Sequence, residues 1–234
     1  MIARRMVLAM IGMGCVCLVM ANLADQPLPA LIAKLIASTG FIVLAISGDA
    51  LRSRYGRLIL AGLILSWAGD ALLELETRRY FLPGLGSFLL AHICYSVAFV
   101  SLGVRFRTMV ATVIPVVLAS AITMLWLSPY VGAPMTVAVW AYVIVISVMV
   151  TFAWGARGAG GTWLIPAGAT LFYLSDLSVA TGQFVKPDFP NYVWGLPFYY
   201  IAQTMLAMSA AQPLDKSLAT VVEPARSRPE TARL

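Results

Sequence analysis

The sequence predicts an all-α integral membrane protein of eight transmembrane helices, with both termini in the cytoplasm. Three observations predict this class: an apolar composition, eight apolar runs of spanning length, and basic residues concentrated in alternate connections. Hydrophobic residues make up 61% of the 234 residues and charged residues 11%, and the mean hydropathy is +0.88. A soluble domain carries roughly 25% charged residues, so in water this chain would expose large apolar patches. Disorder, coiled coils and nucleic-acid binding need more charge and are excluded, which leaves the lipid bilayer as the expected surroundings.

Eight apolar runs are candidates for spans, since a spanning helix needs about 20 mostly apolar residues. The predicted spans are 6–22, 28–49, 57–75, 84–104, 108–127, 134–153, 161–183 and 192–212. Short connections rich in Gly and Pro separate them, as is typical of turns. The sequence therefore predicts an eight-helix membrane domain over residues 1–212. Residues 213–234 are polar, contain three prolines and are predicted to form a disordered cytoplasmic tail.

The distribution of basic residues supports eight spans. If the N-terminus is cytoplasmic, only Arg78, Arg79 and Lys186 lie on the outer side, whereas twelve other Lys and Arg residues lie on the cytoplasmic side. This asymmetry follows the positive-inside rule and predicts a multi-pass protein of the cell (inner) membrane. The first run also resembles a secretory signal peptide, but no clear small-x-small cleavage site follows it, so we expect it to be retained.

Ionisable residues within the spans are few and are candidates for function. They are Lys34, Asp70, Glu74, His92 and Asp176, and burying each in a bilayer costs around 2.5–3.5 kcal/mol. At a rise of about 1.5 Å per residue, four of them fall in one layer roughly 3–7 Å outward from the midplane, with Glu74 higher. We therefore expect one polar pocket that opens towards the outer leaflet.

Helical periodicity indicates which side chains face this pocket. Gly62, Ser66, Asp70 and Glu74 recur every four residues and form one small and polar stripe. Similar spacing groups polar residues in spans four, seven and eight. The candidate substrate-binding residues are Lys34, Ser66, Glu74, His92, Tyr95, Tyr199, Tyr200 and Gln203.

A short internal similarity relates the third and seventh spans. Residues 66–73 and 172–179 both place an aromatic residue and then a small residue before Asp, and each is followed by another span. Four helices separate the copies, so a duplication would give two parallel four-helix halves. Such halves would bring Asp70 and Asp176 to face each other; chance similarity is the alternative.

Two carboxyl groups in a dry site do not both ionise cheaply, so such a pair offers one proton donor and one anion. This combination suits acid-catalysed cleavage through a cationic transition state, as in glycosidases. Asp70 and Asp176 are therefore the candidate catalytic residues, and His92 can orient an acid or relay a proton. A purely structural alternative is that these groups join helices through hydrogen bonds of about 1 kcal/mol.

Metal and disulfide chemistry are not expected. The chain contains one histidine, His92, which is too few for a His-rich zinc or iron site. Its cysteines, Cys15, Cys17 and Cys94, all lie within apolar runs and read as small hydrophobic residues. We predict neither a metal site nor a cofactor.

Three segments together resemble the YhhN family, which includes the lysoplasmalogenases. They are residues 62–74, GLILSWAGDALLE; residues 81–95, with a central Ala-His; and residues 172–176, FYLSD. The resemblance implies hydrolysis of the vinyl ether bond of lysoplasmalogen, a lysophospholipid, to a fatty aldehyde and a glycerophospho-base. A small-molecule or proton-coupled transporter and an intramembrane aspartyl protease are the alternative classes, since both also place acids within the membrane.

Overall fold

The structure is a computed structural model that describes residues 2–75, 78–212 and 214. Within these residues it contains eight α-helices and no named strand. The helices are α1 (Ile2–Leu23), α2 (Pro27–Ser47), α3 (Arg54–Glu74), α4 (Arg78–Ser101), α5 (Phe106–Leu127), α6 (Ala133–Gly158), α7 (Leu164–Ala180) and α8 (Gly195–Ser209). The predicted all-α class is confirmed. The predicted disordered tail, apart from Leu214, lies outside the described residues.

Seven helices in the described part of the chain are long and apolar enough to cross a membrane. This makes the chain a multi-pass membrane protein. The exception is α8, which has 15 residues, so the predicted span 192–212 is too long. Residues 191–194 form a turn, and α8 begins after it at Gly195.

Several helices extend beyond the apolar runs that predicted them. Helix α4 begins at Arg78 rather than residue 84, and α6 continues to Gly158 rather than ending at residue 153. Hydropathy identifies the apolar part of a helix, which lies in lipid. The helix can continue into polar residues as long as its backbone hydrogen bonds are formed. The predicted ends were therefore wrong by up to six residues.

Helices adjacent in sequence pack as pairs, α1 with α2, α3 with α4, α5 with α6, and α7 with α8. The packing between pairs also repeats: α2 contacts α3 and α8, while α6 contacts α7 and α4. If α1–α4 and α5–α8 are taken as two halves, α2 contacts α3 of its own half and α8 of the other. In the same way, α6 contacts α7 of its own half and α4 of the other. The pattern of neighbouring helices therefore repeats between α1–α4 and α5–α8.

Contacts at the two ends of the bundle show which connections lie together. At one end, the Tyr55 hydroxyl lies 2.7 Å from Ser209 Oγ, and the Arg105 amide donates to the Gly155 carbonyl at 3.0 Å. At the other end, the rings of Phe81 and Phe184 meet edge to face with centroids 5.9 Å apart. The Arg-rich connections after α2, α4 and α6 therefore lie at one end.

Glycines bring α3 close to α4 at the level of the site. The ring of Tyr95 lies against Gly62, and the ring of Phe88 lies against Gly69, where a Cβ atom would collide with either ring. Small residues permit such close helix packing in membranes. The polar stripe of α3 is consequently held firmly against α4.

The outer end of α7 is irregular. The helix continues from Ala180 into a π-turn at Thr181–Val185, and an extended loop then leads to α8. Ser178 Oγ donates to Asn191 Oδ1 at 2.6 Å, which fastens this loop to α7. The turn places Gln183 and Phe184 over the space between the helices.

Candidate active site

A cavity of about 410 Å³ lies between the helices beneath the π-turn. Four ionisable side chains that the sequence singled out line it, Lys34, Asp70, Glu74 and Asp176. The remaining wall is mostly apolar and comes from six helices, α3 to α8. It includes Leu73, Leu85, Phe88, Val143, Ile146 and Leu196. The cavity therefore combines charged groups with a surface suited to a hydrocarbon chain.

Asp70 is buried in the cavity wall on α3, with 3% of its surface exposed. Its Oδ2 atom accepts hydrogen bonds from Ser38 Oγ and, at 2.7 Å, from the Tyr199 hydroxyl. The Tyr199 ring packs edge to face against Phe88 and Phe172, which fixes the hydroxyl in place. Two hydroxyl donors on one oxygen suit a carboxylate, because hydrogen bonds to an ionised acceptor are the strong ones.

Asp176 lies on α7 and lines the same cavity. Its Oδ2 atom accepts a hydrogen bond from the Tyr142 hydroxyl at 2.7 Å. The same oxygen lies 3.6 Å from His92 Nε2. The surroundings of Asp176 thus differ from those of Asp70, because an imidazole takes the place of the second hydroxyl.

His92 is buried behind Asp176, with 1% of its surface exposed. Its Nδ1 atom lies 2.5 Å from the carbonyl oxygen of Phe88, and a carbonyl can only accept, so Nδ1 carries hydrogen. In the neutral ring, Nε2 then presents a lone pair towards the oxygen of Asp176. At 3.6 Å the two atoms are too far apart for a hydrogen bond, and Nε2 has no hydrogen-bond partner among the described residues.

Lys34 and Glu74 form an ion pair in the cavity wall. Lys34 Nζ lies 2.8 Å from Glu74 Oε2, and the side chains are 11% and 20% exposed. The Lys34 ammonium group therefore contacts the Glu74 carboxylate. It does not extend to solvent, as lysine side chains in membrane proteins often do. Both charges remain in the cavity wall.

Five predicted site residues do not line the cavity: Ser66, His92, Tyr95, Tyr200 and Gln203. Ser66 lies one turn deeper than Asp70, about 6 Å along α3, and packs behind the wall. The Tyr95 hydroxyl donates to Gln203 Oε1 at 2.8 Å and lies 3.4 Å from Ser66 Oγ. Ser66, Tyr95 and Gln203 thus form a buried polar layer beneath the cavity.

Two residues that contact the carboxylates were missed in the sequence. They are Ser38 on α2 and Tyr142 on α6, which donate to Asp70 and Asp176. Both lie within apolar runs, where a hydroxyl often bonds a carbonyl of its own helix, as Thr112 bonds the Thr108 carbonyl. No pattern in the sequence distinguishes these two residues from their neighbours in α2 and α6.

Among the residues that the structure describes, no group of three or more His, Cys, Asp or Glu side chains is arranged to hold a metal ion.

The chain was compared with known proteins. The model of the YhhN family matches residues 27–210. A lysoplasmalogenase, TMEM86A, of Bos taurus is 32% identical over 165 residues, which cover 66% of this chain and 65% of that protein. The lysoplasmalogenase of Mycobacterium tuberculosis strain CDC 1551 is 35% identical over 137 residues, which cover 56% of this chain and 52% of that protein. The chain thus matches about two thirds or less of the length of these relatives, and no solved structure matches it.

Proposed function

Because the chain belongs to the YhhN family, we propose that it hydrolyses the vinyl ether bond of lysoplasmalogen with an ethanolamine or choline headgroup. The products would be a fatty aldehyde and a glycerophospho-base. The observation that carries this proposal is the pair of carboxyl groups, Asp70 and Asp176, in the wall of one cavity that is otherwise mostly apolar.

The shape and lining of the cavity suit a lipid with a single chain. Phe88, Val143 and Ile146 supply an apolar wall for the hydrocarbon, and Lys34 and Glu74 supply charges for the polar end. Such a lipid can reach the cavity from the outer leaflet of the membrane. We place the protein in the inner cell membrane with both termini in the cytoplasm, as the basic residues indicate.

In the first chemical step, Asp176 donates a proton to the β-carbon of the vinyl ether. We assign the acid to Asp176 because the lone pair of His92 Nε2 lies 3.6 Å from its oxygen, and a lone pair there disfavours a negative charge on the carboxyl group. Protonation turns the ether into an oxocarbenium ion. Asp70, held as a carboxylate by Ser38 and Tyr199, stabilises this cation electrostatically.

In the second step, water adds to the cationic carbon while Asp70 takes one proton from it. The resulting hemiacetal then collapses. Its hydroxyl proton returns to Asp176, and the proton held by Asp70 passes to the departing glycerol oxygen. The sequence of steps consumes one water and restores both carboxyl groups.

The test compares the purified protein with its Asp70→Asn and Asp176→Asn variants in an aldehyde-release assay. Each variant should lose at least about 10²-fold in rate, the scale of general acid–base catalysis, while it keeps its melting temperature within a few degrees. Asp49→Asn, at an exposed site outside the cavity, is the matched control and should keep full activity.

A saturated ether analogue of the substrate distinguishes hydrolysis from transport. The protein should release aldehyde from lysoplasmalogen and leave the analogue intact, because only the vinyl ether can be protonated at carbon. Full activity in either aspartate variant, or uptake of both lipids into vesicles without aldehyde, would contradict the proposal.

A further inference from the structure

We propose that a groove between α5 and α7 binds the far part of the substrate's hydrocarbon chain and sets the chain lengths that the protein accepts. The groove has a volume of about 590 Å³ and lies beside the cavity that holds the aspartates. This inference rests on the proposed function, since it assumes that a vinyl ether lipid reacts at the two aspartates. It adds a second binding site, which lies outside the cavity.

The groove continues the cavity along three helices. Tyr173 on α7 lines both spaces. On α5 the cavity reaches Thr123, and the groove begins one turn away at Ala119. On α6 the same step leads from Ile146 to Val150. Since all three walls pass directly from one space to the other, a chain that leaves the cavity here enters the groove.

A hydrogen bond crosses the junction between the two spaces. The Tyr173 hydroxyl lies 3.4 Å from Thr123 Oγ1, which itself donates to the Ala119 carbonyl at 2.8 Å. Tyr173 is therefore the donor in its contact with Thr123. A hydroxyl–hydroxyl bond of this length is weak, so the ring of Tyr173 can turn aside for a chain at little cost.

The lining of the groove suits hydrocarbon. Val116, Val150 and Leu174 supply apolar surface. The indole N–H of Trp154 donates to Thr170 Oγ1 at 3.3 Å, so these polar atoms have partners within the wall. Lipid chains are as apolar as such a wall, and a substrate chain therefore stays in apolar surroundings when it moves from the membrane into the groove.

The groove opens sideways towards lipid and has the length of a lipid chain. Helix α5 packs mainly against α6, which leaves Ala111, Pro115 and Ala119 exposed on the groove side. The lining of α5 runs from Thr108 to Ala119, which is about 16 Å of helix. A chain that crosses half of a hydrocarbon core of about 30 Å extends about 15 Å, so the groove can hold most of it.

The order of the groups along the bundle fits a lysophospholipid. Glu74 lies one turn beyond Asp70 on α3, away from the Arg-rich connections. The groove extends from Tyr173 in the opposite direction, towards those connections. A lipid with its ether at the aspartates thus has its headgroup at one end and its chain at the other.

The test measures kcat/KM for lysoplasmalogens with a butenyl or an octadecenyl chain. Ala119→Phe adds a ring where the groove begins. It should lower the value for the octadecenyl substrate at least about tenfold, the scale of overpacking, and change the value for the butenyl substrate less than about twofold. The difference is expected because the butenyl chain ends within the cavity.

Ala121→Phe is the matched control. Ala121 is exposed on α5 like Ala119 but lines neither space, because residues two apart in a helix point to nearly opposite sides. The variant adds the same ring and should keep the wild-type values for both substrates. Ala111→Phe fills the groove farther from the cavity, so it should reject the octadecenyl chain and accept an octenyl chain, and it replaces Ala119→Phe if that variant does not fold.

Equal losses on both chain lengths in Ala119→Phe, or an unchanged octadecenyl value in both groove variants, would overturn the groove as a chain site. If the wild type cleaves no vinyl ether, the proposed function fails, and photolabelling tests the groove by itself. A saturated octadecyl analogue with a diazirine at its chain end should then label residues 108–119 and 170–174, and label confined to other segments would contradict the inference.

Discussion

His92 lies directly behind Asp176, with Nε2 3.6 Å from the Oδ2 atom that also accepts the Tyr142 hydroxyl. The carbonyl of Phe88 fixes the ring by binding Nδ1, and Phe172 packs against its face with ring centroids 4.6 Å apart. These contacts hold the ring in one orientation, in which the lone pair of Nε2 points towards Asp176. Asp70 has no such partner, so the two aspartates are not equivalent.

Removing the imidazole should impair proton transfer more than binding. His92→Gln can still hold an amide group near the position of Nε2, whereas His92→Asn cannot, and neither side chain exchanges protons. We expect both variants to lose about 10²-fold in kcat, with KM changed little. Steady-state kinetics of aldehyde release measures this. If His92→Gln keeps the wild-type kcat, the imidazole only positions Asp176.

The hydroxyl donors should contribute differently at the two carboxyl groups. Tyr199→Phe leaves Asp70 with the Ser38 hydroxyl, while Tyr142→Phe leaves Asp176 without a hydroxyl donor. We expect Tyr199→Phe to cost about 1.5–3 kcal/mol of stability, the range for a hydrogen bond to a charged group. The double variant Tyr199→Phe/Ser38→Ala should cost more than the sum of the single changes, because it leaves a buried carboxylate unpaired.

Thermal unfolding in detergent provides the measurement for these hydroxyl variants, and the rate of aldehyde release is recorded alongside it. Thr112→Val is a suitable control, because that hydroxyl lies outside the cavity and bonds the Thr108 carbonyl of its own helix. Additive effects in the double variant would contradict the shared role of Ser38 and Tyr199.

The contact between α3 and α4 should be sensitive to one added methyl group. Gly62→Ala places a Cβ atom against the Tyr95 ring, so we expect a loss of about 1–3 kcal/mol, typical of overpacking. Gly86→Ala is the control, because nothing lies within 4 Å of its added Cβ atom. Melting temperatures of the two variants in the same detergent should therefore differ clearly.

Much of the architecture can be predicted from hydropathy, because lipid imposes a minimum length of apolar sequence. The common depth of Lys34, Asp70 and Asp176 likewise indicated that they share one site, and the structure puts all three in one cavity wall. Helix ends were harder to predict, since charged residues such as Arg78 and Arg157 can continue a helix beyond its apolar part.

The partners of the carboxyl groups could not be predicted, for a physical reason. Ser38 and Tyr142 reach the aspartates across helix interfaces, and periodicity describes one helix at a time. Ser66 shows the opposite error. Ser66 lies on the same stripe of α3 as Asp70, but the Tyr95 hydroxyl lies against it. The periodicity of α3 does not show which turn of the stripe borders the cavity.

The short eighth helix has a consequence for the surrounding lipid. Fifteen residues of α-helix extend about 22 Å, less than the roughly 30 Å of a typical hydrocarbon core. A bilayer adapts to such hydrophobic mismatch by becoming locally thinner. We expect a dimple in the leaflet beside α8, which shortens the path of water from the lipid–water interface to Tyr199 and the carboxyl groups.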